Sequence, residues 1–279
     1  MAKIHGLLDV GKRGMLVSQS ALQTTSHNIA NKSTEGFSRQ RVDVLTNPSV
    51  EDGRQRLGTG STMGSISRVN NPWLEKQIER EGANFAFLNG RTDALKRLES
   101  TFNEQVSKGL NNSMSDFFNS FRELANNPES AVSRTMVRDN AMNMVRNFQD
   151  VDRQLSHVQE DLNNMIKTGV EETNSYIKEI AQLNEKIQQI ELSGSASAND
   201  ERDRRDLLLK KLGEKVDITW AESKEGMVSV TAGNTAILVS GLSSRDLETS
   251  YTDERDRLEI FYRSTENGSL FNITGQIKG

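Results

Sequence analysis

The residue types best suited to move a proton or hold a metal are three histidines, His5, His27 and His157. They lie far apart, and none has a second ligand at metal-binding spacing, so the sequence assigns them to helix faces. The chain has no cysteine, which excludes disulfides, thiolate catalysis and cysteine-ligated zinc. No nucleophile-elbow pattern surrounds any serine. The run Gly58-Thr59-Gly60-Ser61-Thr62-Met63-Gly64 has the composition of a phosphate-cradling loop. Its third glycine falls one position late for the dinucleotide fingerprint, and no Gly-Lys-Ser/Thr follows, so it reads as a linker. The run Asp200-Glu201-Arg202-Asp203-Arg204-Arg205-Asp206 lacks the glycine and terminal glutamate of a calcium loop. Its mixed signs predict a self-neutralising, solvated helix start. These residues predict no catalytic group, no cofactor site and no metal site. The chain reads as a non-enzyme.

The elements around these residues are mostly helical. Ile4, Leu8, Gly11, Met15, Ser18, Leu22, Thr25 and Ile29 recur at alternating steps of four and three. That heptad-like stripe predicts a first helix which must bury one face against a partner. Asn31 and Gly36 supply stop chemistry. Residues 37–70 read as an irregular, extended linker. Asn71-Pro72 opens a long helix, and Asn126-Asn127-Pro128 closes the next. From Glu129 to Leu192 no proline interrupts, although a break near Thr168-Gly169 is allowed by the stutter in the apolar pattern. Ser197 and Asp200 have capping-box-like spacing before a short helix ending at Gly213. From Val216 the pattern becomes strand-like, with turn signals at Glu225-Gly226, Gly233-Asn234 and Asn267-Gly268. The predicted fold is mainly α with a β-rich distal part: an elongated, coiled-coil-like long-helix bundle followed by an incomplete β domain. The predicted sections are 1–36, a helix and its polar end; 37–70, the linker; 71–215, the helical bundle; and 216–279, the β-rich part.

Composition supports elongated helices with narrow buried stripes, because only 34% of the 279 residues are apolar while 27% are charged. The net charge of -4 comes from interleaved acids and bases, which argues against a nucleic-acid face. No apolar run reaches the roughly 18 residues that span a membrane. The N-terminal segment MAKIHGLLDVGKRG lacks the unbroken apolar core of a cleavable signal. The protein is therefore cytoplasmic or exported by another route.

The polar stretch SALQTTSHNIANKSTEGFSRQRV, residues 20–42, is out of character for the end of an amphipathic helix. It resembles the N-terminal signature of flagellar rod, hook and hook-associated proteins, through Leu22, Asn28, Ile29, Ala30, Asn31, Thr34, Gly36, Phe37 and Arg39. SISRVNNPWLEKQI, ANNPESAVSRTMV and RRDLLLKKLGEKVDITW are similar to segments of the hook-associated protein 1 family, the hook–filament junction proteins. The resemblance implies a structural, extracellular subunit of the bacterial flagellum, exported by the type III route without a cleaved signal. It implies as partners the hook protein, a second junction protein, further copies of the chain in a helical ring, and an export chaperone, with no nucleic acid and no membrane insertion. It also implies a subunit interface at Ile4, Leu8, Met15, Leu22, Asn28, Ile29, Asn31, Thr34, Gly36, Phe37 and Arg39. In that family the chain continues beyond the equivalent of Gly279 to a C-terminal helix that partners the first. The chain is therefore expected to be a fragment or truncated, with its first helix poorly packed. The alternatives are a hook or distal rod protein, or a cytoplasmic coiled-coil scaffold.

Overall fold

The computed structural model describes residues 2–52, 55–102, 105–192, 196–233, 236–252, 257–263 and 270–272. Helix α1 (Ala2–Ala30) leads into the strands β1 (Gln40–Thr46), β2 (Val50–Asp52), β3 (Gln55–Leu57) and β4 (Ser61–Arg68). Four helices follow: α2 (Pro72–Phe102), α3 (Gln105–Asn126), α4 (Ala131–Leu192) and α5 (Asn199–Lys215). The distal part holds β5 (Ile218–Glu222), β6 (Val228–Ala232), β7 (Ala236–Ser240), β8 (Ser243–Ser244), β9 (Leu247–Thr252), β10 (Arg257–Arg263) and β11 (Leu270–Asn272). Long helices followed by a strand-rich part are the predicted class.

Residues 37–70 correct the sequence reading. β1 pairs antiparallel with β4, from Gln40 opposite Arg68 to Thr46 opposite Ser61, with an irregularity between Val42 and Val44. β2 pairs with β3 within that hairpin. The linker is thus a nested ribbon. Its strands carry no buried side chain among the described residues, so no apolar alternation announced them; backbone pairing holds the register, helped by Asp43, whose Oδ2 accepts from Ser67 Oγ at 2.8 Å across the ladder.

Helix boundaries follow local chemistry. Asn71 Oδ1 accepts from the N–H groups of Trp73 (3.2 Å) and Leu74 (3.4 Å), and Pro72 takes the position where a missing N–H costs nothing. Ser130 Oγ accepts from Ser133 N–H at 3.2 Å at the start of α4. α4 runs unbroken through Thr168-Gly169 for 62 residues. A single interior glycine costs only about 1 kcal/mol against alanine, which the flanking turns absorb. α5 departs from expectation at both ends. No side chain caps it at Ala198, and it passes Gly213 to end at Lys215. Ala198 N–H instead donates to Glu191 Oε1 at 3.2 Å.

The contacts divide the chain into two compact units, so residues 71–215 do not form one body. The first comprises 1–85, 172–248 and 261–279. Its core is Ile177, Ile180, Leu183 and Ile187 of α4, Leu208, Leu209 and Leu212 of α5, and Val228, Val230, Leu238 and Val239 of the sheet. Each such side chain contributes roughly 1.5–3 kcal/mol of burial. The sheet has the order β5-β6-β7-β8. β5 and β6 turn at Gly226, whose φ of 77° is left-handed. The second unit comprises 86–171 and 249–260. There Asn140 and Asn147 donate to the carbonyls of Asp116 and Gly109, each at 3.2 Å, tying α4 to α3. Phe117 packs edge-on against Phe118 and Phe121. In the first unit β10 pairs antiparallel with β11, from Phe261 opposite Asn272 to Arg263 opposite Leu270. Residues 193–195, 234 and 267–268, where a loop and two turns were expected, lie outside the described residues.

Asn184 stands in the apolar stripe of α4 with no exposed surface. Its amide nitrogen donates to the carbonyls of Val228 (2.8 Å) and Gly241 (2.7 Å). Its oxygen accepts from Val228 N–H and Arg205 Nη1, both at 3.1 Å. Asn184→Leu keeps the volume but takes a partner from the Val228 N–H and carbonyl, the Gly241 carbonyl and Arg205 Nη1. We expect it to lower unfolding free energy by about 2–4 kcal/mol, read as a lower urea midpoint with unchanged slope.

Candidate functional site

The end of α1 folds back on itself through amides and hydroxyls. Asn28 Nδ2 donates to Gln40 O and Gln40 N–H donates to Asn28 Oδ1, both at 2.8 Å. One side chain thereby acts as the strand partner of β1's first residue. Asn31 Nδ2 donates to His27 O (3.1 Å), and Asn31 Oδ1 accepts from Thr34 Oγ1 (3.2 Å). Those bonds fix the orientation of the Asn31 amide. Its nitrogen also faces His27 Nδ1 at 3.2 Å, so Nδ1 accepts and Nε2 carries the ring proton. Nε2 donates to Asp200 Oδ1 at 3.3 Å. Phe37 packs edge-on against His27, with centroids 5.3 Å apart. Gly36 makes the return at φ 78°, and a Cβ there would sit 2.9 Å from Leu207 Cβ. Only glycine combines that backbone with that approach.

α5 receives this signature on an acidic face. Asp203 Oδ2 accepts from Ser38 N–H at 2.8 Å. Asp203 Oδ1 and Asp206 Oδ2 both accept from Arg68 Nη1, at 2.9 and 2.7 Å. Asp200 Oδ1 accepts from Gln40 Nε2 at 2.6 Å. Asn199 Nδ2 reaches Ile66 O at 2.7 Å. Burial opposes the charge on Arg68, but Asp203 and Asp206 outweigh it and hold the guanidinium charged more firmly than usual. The spacing 200, 203, 206 sets the three carboxylates along one side of a helix.

The opposite side of α5 is basic. Arg202 forks onto Glu191, with Nε to Oε1 and Nη2 to Oε2 each at 2.8 Å, and its Nη1 reaches Glu222 at 2.6 Å. Arg205 is 1% exposed and bonds Asn184, Gly226 O and Glu222. Burial pushes its pKa down, and Glu222 works against that. The hydrogen bonds from Arg202 hold the Glu191 carboxyl below its ordinary value.

The structure thus overturns the reading of 200–206 as a solvated helix start: Asp203 and Arg205 are buried, and the run connects the signature to the sheet. The sequence reading missed Arg68, Arg202, Asp203 and Arg205. Acids at 200, 203 and 206 with arginines at 202 and 205 segregate by sign on a helix, and that was the available signal. Of the predicted interface residues, Asn28, Asn31, Thr34, Gly36 and Phe37 come together in this joint. Leu8, Met15, Leu22 and Ile29 remain exposed on α1, each with about two thirds of its surface open to solvent. Arg39 is exposed as well, its carbonyl accepting from Val69 N–H at 2.8 Å. Ile4 lies in the backbone of α1, with its side chain outside the described residues. This site joins two stretches of the same chain, and its side chains are committed to hydrogen bonds and ion pairs within that chain.

Comparison with known proteins places the fold. A family model described as the flagellar hook-associated protein FlgK helical domain matches residues 95–279. The chain belongs to the flagellar hook-associated protein FlgK family. Flagellar hook-associated protein 1 of Bacillus subtilis (strain 168) is 31% identical over 226 residues, covering 78% of this chain and 44% of the relative. The Escherichia coli (strain K12) protein of that name is 26% identical over 245 residues, covering 88% and 45%. The chain therefore spans less than half the length of the curated relatives it matches. The flagellar hook junction protein FlgK from Burkholderia pseudomallei has the same fold, with a TM-score of 0.61 at 23% identity, over 72% of this chain and 35% of that one. The FlgK family match begins at residue 95, beyond the signature joint, while the joint's α5 side falls inside it.

Gly36→Ala is expected to lower stability by about 1–2 kcal/mol, from the left-handed backbone and the contact with Leu207. Gly11→Ala, which meets open space within α1, is the matched control and is expected to be neutral or stabilising. Urea unfolding of the two variants separates them. A second expectation concerns acid. The folded pKa of Glu191 lies below its unfolded value, so its ion pair stabilises the fold above the ordinary glutamate range. That contribution is lost as pH falls through the folded value. Glu191→Gln should show a shallower fall of melting temperature from pH 6 to pH 3 than the unsubstituted chain.

Proposed function

We propose that this chain is part of a structural, non-catalytic subunit of the bacterial flagellum, seated at the junction between hook and filament. The observation that carries the reading is the contrast within its first 40 residues. The apolar stripe of α1 stands open to solvent, and the helix ends in a joint fixed by paired amides and carboxylates. An open stripe supplies adhesion, and a fixed joint sets the angle at which it is presented.

On this reading Ile4, Leu8, Met15, Leu22 and Ile29 meet neighbouring axial subunits: the hook protein, a second junction protein and further copies of the chain in a helical ring. Arg39 supplies a charge-assisted contact at the same level. Asn28, Asn31, Thr34, Gly36 and Phe37 act inside the subunit and hold the register of those contacts. The mechanism is mechanical: one face accommodates the hook lattice, another seats the filament. Family membership and the names of the relatives support this. The subunit works outside the cell, and export unfolded through the flagellar type III channel, with a chaperone, accounts for a chain that needs no disulfide.

Deletion of the full gene in its source bacterium, followed by electron microscopy, tests the proposal. Hooks without filaments, with flagellin shed into the medium, are the expected result. Loss of the hook itself would move the chain to a rod or hook role, and normal filaments would overturn the flagellar reading. Complementation with Leu8→Ser/Leu22→Ser should restore few filaments or none, because the substitutions remove adhesive surface without touching the joint.

A further inference from the structure

We propose that Glu79, Lys76 and Trp220 form a proton-responsive clasp, which fastens α2 to β5 more tightly once Glu79 takes up a proton. The clasp is independent of the assembly role. It rests on an inversion of the usual order of burial. Among the described residues 71–80 the apolar side chains Trp73, Leu74 and Ile78 are exposed, and Glu79 alone is half-buried. α2 therefore meets β5 through a carboxylate. Trp220 Nε1–H donates to Glu79 Oε2 at 3.0 Å. Lys76, one turn back on α2, stands over the Trp220 ring with Nζ 4.8 Å from the centroid. Glu79 also borders a cleft of about 340 Å³ between α2, α5 and β5, with Ala83, Leu209, Gly213 and Ile218 in its walls.

An indole N–H supplies one neutral hydrogen bond, which does not replace the hydration that an ionised carboxylate loses on burial. The charges around Glu79 come from each element packed there. On α2, Lys76 favours the ionised carboxylate, Glu75 opposes it, and Arg80 lines the cleft. From α5, Asp206 opposes it, although Arg68 pairs with that carboxylate. Asp217, the residue before β5, lines the same cleft. Burial is the largest influence and raises the Glu79 carboxyl above its ordinary value, against the bond from Trp220. The folded value therefore lies above the unfolded one. The stabilisation that protonation brings is full below the unfolded value and is lost as pH rises through the folded value. A protonated carboxyl still offers an oxygen to the indole, and it no longer has to hold a charge out of water. The sign is opposite to that of Glu191, so the two carboxyls respond differently to acid.

The test is a pH titration of the indole N–H signals of the full chain by NMR. The chain has two tryptophans, and Trp73→Phe, at a side chain 72% exposed, tells them apart. The Trp220 indole signal is expected to shift with a midpoint above the ordinary glutamate value of about 4.3. Glu79→Gln is expected to abolish that step, and Lys76→Met, which removes the counter-charge, to move its midpoint further up. At pH 7, Glu79→Gln is also expected to raise the melting temperature by about 1–3 °C, a difference that closes at pH 3. A midpoint at or below the ordinary value, or an indole signal indifferent to pH, overturns the proposal. So does a step that survives Glu79→Gln, or a melting temperature that Glu79→Gln leaves unchanged or lowers at pH 7. The midpoint in the unsubstituted chain stands as a test even if Glu79→Gln fails to fold.

Discussion

A guanidinium with 1% of its surface exposed is the constraint around which the first unit is built. Arg205 cannot hold its charge there without acceptors, because desolvating an unpaired ion is far more costly than any single apolar contact is worth. Its acceptors come from three directions: Asn184 on α4, the carbonyl of Gly226 in the β5–β6 turn, and Glu222 at the end of β5. Those demands fix where the turn lies relative to both helices. They also explain why the turn is glycine, since a Cβ on Gly226 would approach Arg202 Nη2 to 2.7 Å. Glu222 serves Arg202 and Arg205 together, and Arg202 then fixes Glu191 near the end of α4. The ion network and the apolar core are two faces of one packing solution. The polar part specifies which way the elements meet, and the leucines and valines supply the burial.

Asparagine does the equivalent work where strands meet helices. Asn28 gives both halves of its amide to Gln40, Asn174 to Leu247 at 2.9 and 2.7 Å, and Asn184 to Val228 at 2.8 and 3.1 Å. In each case a helix-borne amide replaces a neighbouring strand's peptide group. The substitution satisfies a backbone donor and acceptor that a strand next to a helix would leave open. It also locks register, because shifting the strand by one residue reverses its faces and removes the partner. The signature Asn28 is therefore one case of a device repeated along the chain.

What was legible in the sequence was whatever repeats. The stripes of α1 to α4 appear because a helix with one buried or adhesive face writes a period of about 3.6, and the change at residue 216 appears because the period falls to two. Pro72 and Pro128 marked boundaries correctly, because proline acts through its own ring and needs no distant partner. The β1–β4 ribbon was illegible for the opposite reason. Its side chains are exposed or half-buried and none is fully buried, so Gln40-Arg41-Val42-Asp43 carries no apolar alternation to read. The charged run at 200–206 was misread because its local sum is neutral. Its meaning lies in partners 130 to 160 residues away for Arg68 and Gln40, and about 20 away for Glu222. Nothing in a seven-residue window states whether opposite charges cancel among themselves or reach outward.

That distinction bears on how the signature residues are understood. Polar residues at the end of an adhesive helix invite assignment to an interface with another subunit, since exposed amides and hydroxyls fix register. The intrachain bonds show a prior use: His27, Asn28, Asn31 and Ser38 already have partners within the chain, and Gly36 already has its contact. A side chain whose donors and acceptors are spent in this way cannot also recognise a neighbour without giving one up. On the proposed reading, recognition by unspent groups falls instead to the apolar stripe of α1 and to the exposed Arg39. Such a division is physically economical: apolar surface adheres without directional demands, so it would tolerate small shifts of angle between neighbouring subunits. Directional hydrogen bonds do not tolerate such shifts, and here they lie inside the subunit, where α5 holds the geometry constant.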